Sequence, residues 1–137
     1  MTVYLDGSAI LRHLLGQPSA VDIRDMGRPV SSELVRVECL RTLDRLRIRE
    51  AVPTEEHLQR LESARVLLGT VSLADMDSVV LERATGPLLS PLTTLDAIHL
   101  VTALLLRDGL GEPFRLVTHD RALAMAARLH GISVVGA

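Results

Sequence analysis

The sequence predicts an α/β fold in which a short-stranded parallel sheet is covered by helices on both faces. Apolar runs of strand length alternate along the chain with longer segments whose apolar residues recur at helical spacing. Glycine and proline residues separate most of these segments. Because strands joined through helices pair in parallel and are buried from both sides, the expected unit is a compact α/β/α domain with three layers.

The predicted strands are short, apolar and β-prone, and several are followed directly by a polar residue. The first ends at Asp6, and the fourth leads into Thr118, His119 and Asp120. In chain order the strands are Thr2–Leu5, Val30–Ser31, Val71–Leu73, Phe114–Val117 and Ile132–Val135.

The predicted helices begin at capping or acidic residues and mostly end at glycine. Ser8 is expected to cap the first helix, and Thr93 to open a helix that is apolar on nearly every side and therefore buried. In chain order the helices are Ala9–Leu15, Pro18–Met26, Ser32–Arg49, Thr54–Gly69, Asp77–Thr85, Thr93–Arg107 and Arg121–His130.

Length and composition indicate one globular domain over residues 1–137, with no repeat and no linker. No apolar run approaches the roughly 18 residues that a membrane-spanning helix needs. The N-terminus lacks the basic flank and apolar stretch of a secretory signal, and the lone Cys39 cannot form an internal disulfide. A cytoplasmic location without membrane contact is therefore expected.

The absence of lysine and the scarcity of aromatic residues exclude several function classes. All 15 basic residues are arginine, which excludes a P-loop and a Schiff-base lysine. Tyr4 and Phe114 are the only aromatic side chains, too few for a platform that stacks nucleic-acid bases. Since the formal net charge is −2, any contact with nucleic acid is expected to be local.

Acidic residues follow the ends of two predicted strands. Asp6 and Asp120 come directly after strands one and four, so both should stand at the carboxyl edge of the sheet, where α/β folds bind ligands. Taken singly, each is also a common turn residue. Asp96 lies in the first turn of the buried helix, where it favours the helix dipole, and shares a stripe with His99.

A fourth acid, Glu38, lies on the expected covered side of its helix. An ion pair with Arg41, three residues on, is the structural interpretation. If the four carboxylates converge, they need a cation, and Mg²⁺ or Mn²⁺ suits hard oxygen ligands. Such sites activate water and stabilise in-line displacement at a phosphodiester.

Four sequence blocks, in this order, resemble the PIN-domain family, and within it the VapC toxins of bacterial toxin–antitoxin pairs. The blocks span almost the whole chain, and each one alone is a weak signal. They are Asp6–Ala9, Ser31–Glu38, Leu95–Ala103 and Leu116–Asp120.

The resemblance implies a PIN-like α/β/α domain, a ribonuclease dependent on Mg²⁺ or Mn²⁺, a homodimer, and a cognate antitoxin that holds the enzyme inactive. By motif position it gives the catalytic roles to Asp6, Glu38, Asp96 and Asp120. Within that set it implies that Asp6, Asp96 and Asp120 are the metal ligands.

The hydroxyls that flank these acids match the family pattern as supporting residues: Ser8 follows the first acid and Thr118 precedes the last. The chain departs from the pattern at Gly7, where threonine or serine is usual, and at His119, a less common middle residue. Neither departure removes an acid.

The RNA contacts expected by default come from arginine. Arg12 is the first candidate, and the helix of Glu38 adds Arg36, Arg41 and Arg45, although a solvated surface charge explains each of them as well. His119 and His99 are further candidates for substrate contact, and a core histidine is the structural interpretation of His99.

Other readings of the acids stay open. A dehalogenase-type phosphotransferase needs an aspartate where Ser8 stands, and a receiver domain needs a lysine, which the chain lacks. A free-standing RNA-processing nuclease, or an inactive PIN fold that only binds RNA or protein, fits the same residues.

Overall fold

A computed structural model describes residues 1–137 and has at its centre a five-stranded sheet in the order β3-β2-β1-β4-β5, with every neighbouring pair parallel. β1 is the middle strand, and its last residue Leu5 lies opposite Val117, the last residue of β4. The strands are β1 Thr2–Leu5, β2 Arg28–Ser32, β3 Ser72–Ala74, β4 Phe114–Val117 and β5 Ser133–Val135.

The helices connect these strands and confirm the alternation that the sequence predicts. The bounds agree to within about three residues for six of the seven predicted helices. The helices are α1 Gly7–Leu14, α2 Leu34–Arg49, α3 Thr54–Gly69, α4 Ser78–Ala84, α5 Thr94–Leu110 and α6 Arg121–Leu129.

Two apolar cores lie on opposite faces of the sheet, because successive strand residues point to opposite sides. Tyr4 packs into one core with α5 and α6, whereas Val3 and Leu5 pack into the other with α1 and α2. The free thiol of Cys39 is buried in the second core, as expected for a small apolar residue. The three-layer α/β/α architecture is confirmed.

The prediction of a helix over Pro18–Met26 is wrong. Local side-chain bonds compete with helical ones there, because Asp22 accepts from the backbone N–H of Arg24 at 3.0 Å. Asp25 has φ 60°, which no right-handed helix allows. The segment is instead fixed to its surroundings by the N–H of Val21, which donates to Nε2 of His119 at 3.2 Å.

The cap of α1 also differs from its prediction. Asp6, not Ser8, is the N-cap, and its side chain accepts from the N–H of Ala9. Ser8 lies inside the first turn, because the helix starts directly after the strand. Thr93, in contrast, caps α5 as expected, and α5 is buried continuously from Ala97 to Leu104.

α5 is apolar and has 17 residues, a length that is common for helices of globular proteins. None of the helices is both long enough and apolar enough to cross a lipid bilayer.

A glycine before β2 is required by the close approach of the N-terminus. Gly27 has φ 139°, and an added Cβ would lie 2.5 Å from the carbonyl oxygen of Met1. Gly27→Ala should therefore lower the free energy of unfolding by about 1–3 kcal/mol, the cost of a strained backbone conformation. Urea denaturation measures this.

Gly69→Ala is the matched control, because an added Cβ at the end of α3 would meet nothing within 4 Å. This variant should be neutral or more stable by up to about 1 kcal/mol. Equal effects of the two substitutions would contradict the steric explanation.

Candidate active site

Asp6 lies where β1 and β4 end side by side. Its N–H donates to the carbonyl of Val117 at 3.3 Å, which continues the pairing of the two strands. The residue is only 3% exposed. One carboxylate oxygen, Oδ1, accepts from the N–H of Ala9 at 2.9 Å and so caps α1. The fold thus places a buried acid at the carboxyl edge of the sheet, as predicted.

Two hydroxyls hold the carboxylate of Asp6. Ser8 Oγ donates to Oδ1 at 2.8 Å, and Thr118 Oγ1 donates to Oδ2 at 2.5 Å. Each hydroxyl oxygen in turn accepts a backbone N–H, from His119 at 2.9 Å and from Asp120 at 3.0 Å. Ser8 and Thr118 therefore lie where the resemblance expects supporting residues.

Burial raises the pKa of Asp6, against the hydrogen bonds from Thr118, Ala9 and Ser8, which lower it. The positions of the two carboxylate oxygens are fixed from three directions, so this acid is rigid as well as buried.

Asp120 is half-buried and caps α6. Its Oδ1 accepts from the N–H of Leu123 at 2.9 Å. The cap fixes the side chain through one oxygen and leaves Oδ2 for other partners. The structural interpretation of Asp120 is therefore confirmed, and its role in a metal site stays a prediction.

Asp96 lies in the first turn of α5 and is also half-buried. Burial raises the pKa of Asp96, the negative charge of Asp120 raises it further, and that of Asp6 adds to the effect. The three aspartates, named here the acidic edge, therefore interact electrostatically. No arginine forms an ion pair with any of them.

Glu38 lies beside the acidic edge, next to Gly7. A Cβ added at Gly7 would be 3.3 Å from Oε1 of Glu38. The expected ion pair with Arg41 does not form, because Arg41 pairs with Asp44 at 3.2 Å on the solvent side of α2. Glu38 pairs instead with Nε2 of His99.

His99 does not fit the RNA contact expected of it. Its side chain is 1% exposed, and its ring nitrogens bond to Glu38 and to the hydroxyl of Tyr4. The residue belongs to the core, as its structural interpretation proposed. Sequence reasoning missed Tyr4, whose signal was its place in β1 as the one tyrosine of the chain.

His119 lies near both Asp6 and Arg12, and the side chains of His119 and Arg12 are partly exposed. Nε2 of His119 accepts from the N–H of Val21, so this bond requires a neutral ring with its hydrogen on Nδ1. Burial lowers the pKa of His119, and the positive charge of Arg12 lowers it further. Arg12 itself donates to Ser19 at 3.2 Å.

The three arginines suggested on α2 do not approach the acids. Each bonds to a neighbour three residues away: Arg36 to Glu33, Arg41 to Asp44 and Arg45 to Thr42.

The spacing and the chemistry of the acids decide whether a metal ion fits this site. No group of three or more His, Cys, Asp or Glu side chains lies close enough to hold one in the present arrangement. The donor chemistry fits, since the acidic edge offers hard carboxylate oxygens and no arginine forms an ion pair with them.

A cleft of about 460 Å³ lies elsewhere, between α1 and α3. None of the predicted site residues lines it. The volume of a cleft therefore does not identify the candidate site. The burial and the negative charge of the aspartates do.

The raised pKa of Asp96 predicts how stability depends on pH. A group whose folded-state pKa is raised stabilises fully below its unfolded pKa, about 4, and loses this contribution as pH rises through the folded-state value. Asp96→Asn should therefore raise the melting temperature of the metal-free protein at about pH 7, and the gain should vanish near about pH 3. Thermal unfolding in EDTA measures both.

Asp75→Asn is the control, since Asp75 is exposed in the loop before α4. It should leave the melting temperature unchanged at both pH values. An Asp96→Asn protein that melts below the parent at neutral pH would show that the carboxylate stabilises α5 rather than straining the site.

Comparison with known proteins agrees with this geometry. The family model for the PIN domain matches residues 3–129, which include every acid described above. Ribonuclease VapC46 of Mycobacterium tuberculosis (strain ATCC 25618 / H37Rv) is 36% identical over 141 residues, covering 97% of this chain and 95% of the relative. On the family match and this near full-length similarity, the chain belongs to the PIN-domain family.

Proposed function

We propose that the chain is a Mg²⁺- or Mn²⁺-dependent ribonuclease, a toxin of the VapC type, formed by residues 1–137 as one domain. The observation that carries the proposal is the acidic edge, where three aspartates from different elements lie close enough to raise the pKa of Asp96 and none of them forms an ion pair with an arginine. The similarity to a protein named as a ribonuclease supports RNA as the substrate.

Asp6, Asp96 and Asp120 would hold the metal ion, which would supply charge stabilisation at the phosphodiester and an activated water. Ser8 and Thr118 keep the carboxylate of Asp6 in one orientation, so little reorganisation is needed at that ligand. Since Asp120 keeps one oxygen outside its capping bond, it can bind a cation without unwinding α6.

RNA would be bound on the open side of the site. The neutral ring of His119 has its Nδ1–H free to donate to a phosphate oxygen, because Nε2 is occupied by Val21. Arg12 lies close enough for its charge to act on that ring. The two side chains together supply one donor and one positive charge.

Protein partners are proposed from the surface of α2 and α3. Several large apolar side chains there are exposed. A group of such residues on neighbouring helices is better explained by contact with another chain than by chance exposure of single residues. They support a homodimer and a cognate antitoxin in the cytoplasm. The side chains are Val37, Leu40, Ile48, Leu58 and Val66.

The free-standing nuclease and the inactive binding module remain alternatives. Expression of the chain in a bacterial host distinguishes them, with and without a small protein encoded beside its gene. A toxin should arrest growth unless that neighbour is present. A processing nuclease should be tolerated alone, and an inactive module should cut no RNA in either case.

Removal of single charges from the acidic edge should abolish most cleavage. Asp6→Asn, Asp96→Asn and Asp120→Asn should each lower kcat by about 10²–10³-fold, the usual loss for one charge-stabilising group. Cleavage of labelled RNA by purified protein measures this, with Asp75→Asn as the control of equal charge change. Parent-like cleavage by Asp96→Asn would contradict the site.

Metal dependence can be read without RNA. Excess Mn²⁺ should stabilise the folded parent by about 2.7 kcal/mol at a hundred times its dissociation constant. Asp96→Asn should gain less, because one charged ligand is missing. Thermal unfolding with EDTA and with Mn²⁺ gives both values, and equal gains in the two proteins would place the ion elsewhere.

A further inference from the structure

Three side chains from different elements form a row beneath the acidic edge. Tyr4 of β1 contacts Nδ1 of His99 on α5 through its hydroxyl, at 2.7 Å. Nε2 of the same ring contacts Oε1 of Glu38 on α2. The rings of Tyr4 and His99 pack edge to face, with centroids 5.8 Å apart. The imidazole is thus held at both nitrogens and on its side.

The donors of this row can be assigned. Ser31 and Thr102, the hydroxyls that also neighbour Tyr4, donate their hydrogens to the carbonyls of Leu5 and Ile98. Tyr4 keeps its own proton at neutral pH, as phenols ordinarily do, since their usual pKa is about 10. A phenol that donates to Nδ1 leaves the imidazole hydrogen on Nε2, where it points at the carboxylate of Glu38.

The Glu38 side chain needs such a restraint. It has three rotatable bonds and is 20% exposed, so its carboxylate can adopt several orientations. Its hydrogen bond is to His99, and no residue of α2 bonds to the carboxylate. The bond to His99 uses Oε1 and leaves Oε2 without a hydrogen-bond partner in the protein. Gly7 provides the room, since a Cβ there would lie 3.3 Å from Oε1 and 3.6 Å from Cβ of Glu38.

We propose that His99 is a positioning residue: held as its Nε2–H tautomer by Tyr4, it fixes the carboxylate of Glu38 beside Gly7 so that one oxygen faces the acidic edge. The proposal rests on the proposed ribonuclease function. It gives the buried histidine and tyrosine a role through Glu38, with no contact to RNA.

The test compares substitutions that keep or remove the donor to Glu38. His99→Gln retains an amide N–H that can reach the carboxylate, whereas His99→Leu fills the space without a donor. His99→Leu should lower kcat by about 10–100-fold with little change in KM, the usual effect of losing an orienting partner. His99→Gln should recover most of that loss, and His130→Leu, far from the acids, should match the parent.

Coupling separates positioning from a general structural defect. In a Glu38→Gln background, His99→Leu should cause almost no further loss of kcat, because its effect acts through Glu38. If both backgrounds lose the same factor, or if His99→Gln is as impaired as His99→Leu, the proposal is overturned. Melting temperatures of all variants without metal show whether each is folded during the assay.

The tautomer gives a readout that needs neither RNA nor metal. Long-range proton–nitrogen NMR of the imidazoles should show His99 with its hydrogen on Nε2, its signals assigned by their absence from His99→Gln. Tyr4→Phe should lower kcat, because the ring loses the partner that holds Nδ1, while the carboxylate of Glu38 keeps the hydrogen on Nε2. A parent with the hydrogen on Nδ1 would overturn the proposal.

The two proposals fail in different ways. A parent that cuts no RNA at all would contradict the proposed function. The NMR spectra would then still decide whether Tyr4 and Glu38 fix the ring.

Discussion

The parallel pairing of β1 with β4 is the constraint on which the site depends. It places Leu5 opposite Val117, so the chain leaves both strands at one point of the sheet edge. Asp6 and Thr118 are therefore neighbours, although 112 positions separate them in sequence. A shift of this register by one residue would turn the side chains of β1 to the opposite faces and separate the acid from its hydroxyl.

The same crossing point explains why helix caps and site residues coincide. Asp6 follows β1 directly and Asp120 follows β4 after two residues, and each caps the helix that comes next. A cap fixes a carboxylate relative to the backbone, and in these two residues the cap uses Oδ1. The first turn of each helix thus fixes the orientation of a carboxylate that it needs as its cap.

Local patterns of the sequence sufficed for the strands, the buried α5 and the acids at strand ends, because periodicity and strand-end position reflect burial directly. They failed where a partner is distant in the chain. Glu38 pairs with a residue 61 positions away rather than with Arg41, and no spacing rule contains that contact. Pro18–Met26 failed for a related reason, since Val21 is held by His119.

Gly7 and Glu38 share one small volume, because a Cβ at position 7 would lie 3.3 Å from Oε1 of Glu38, closer than most side chains approach one another. A serine or threonine at position 7 would therefore require the glutamate to move by a few tenths of an ångström. Oε1 is also the oxygen that bonds to His99, so such a shift would change that bond first. The glycine thus lets α1 pass beside Glu38 without disturbing its bond to the histidine.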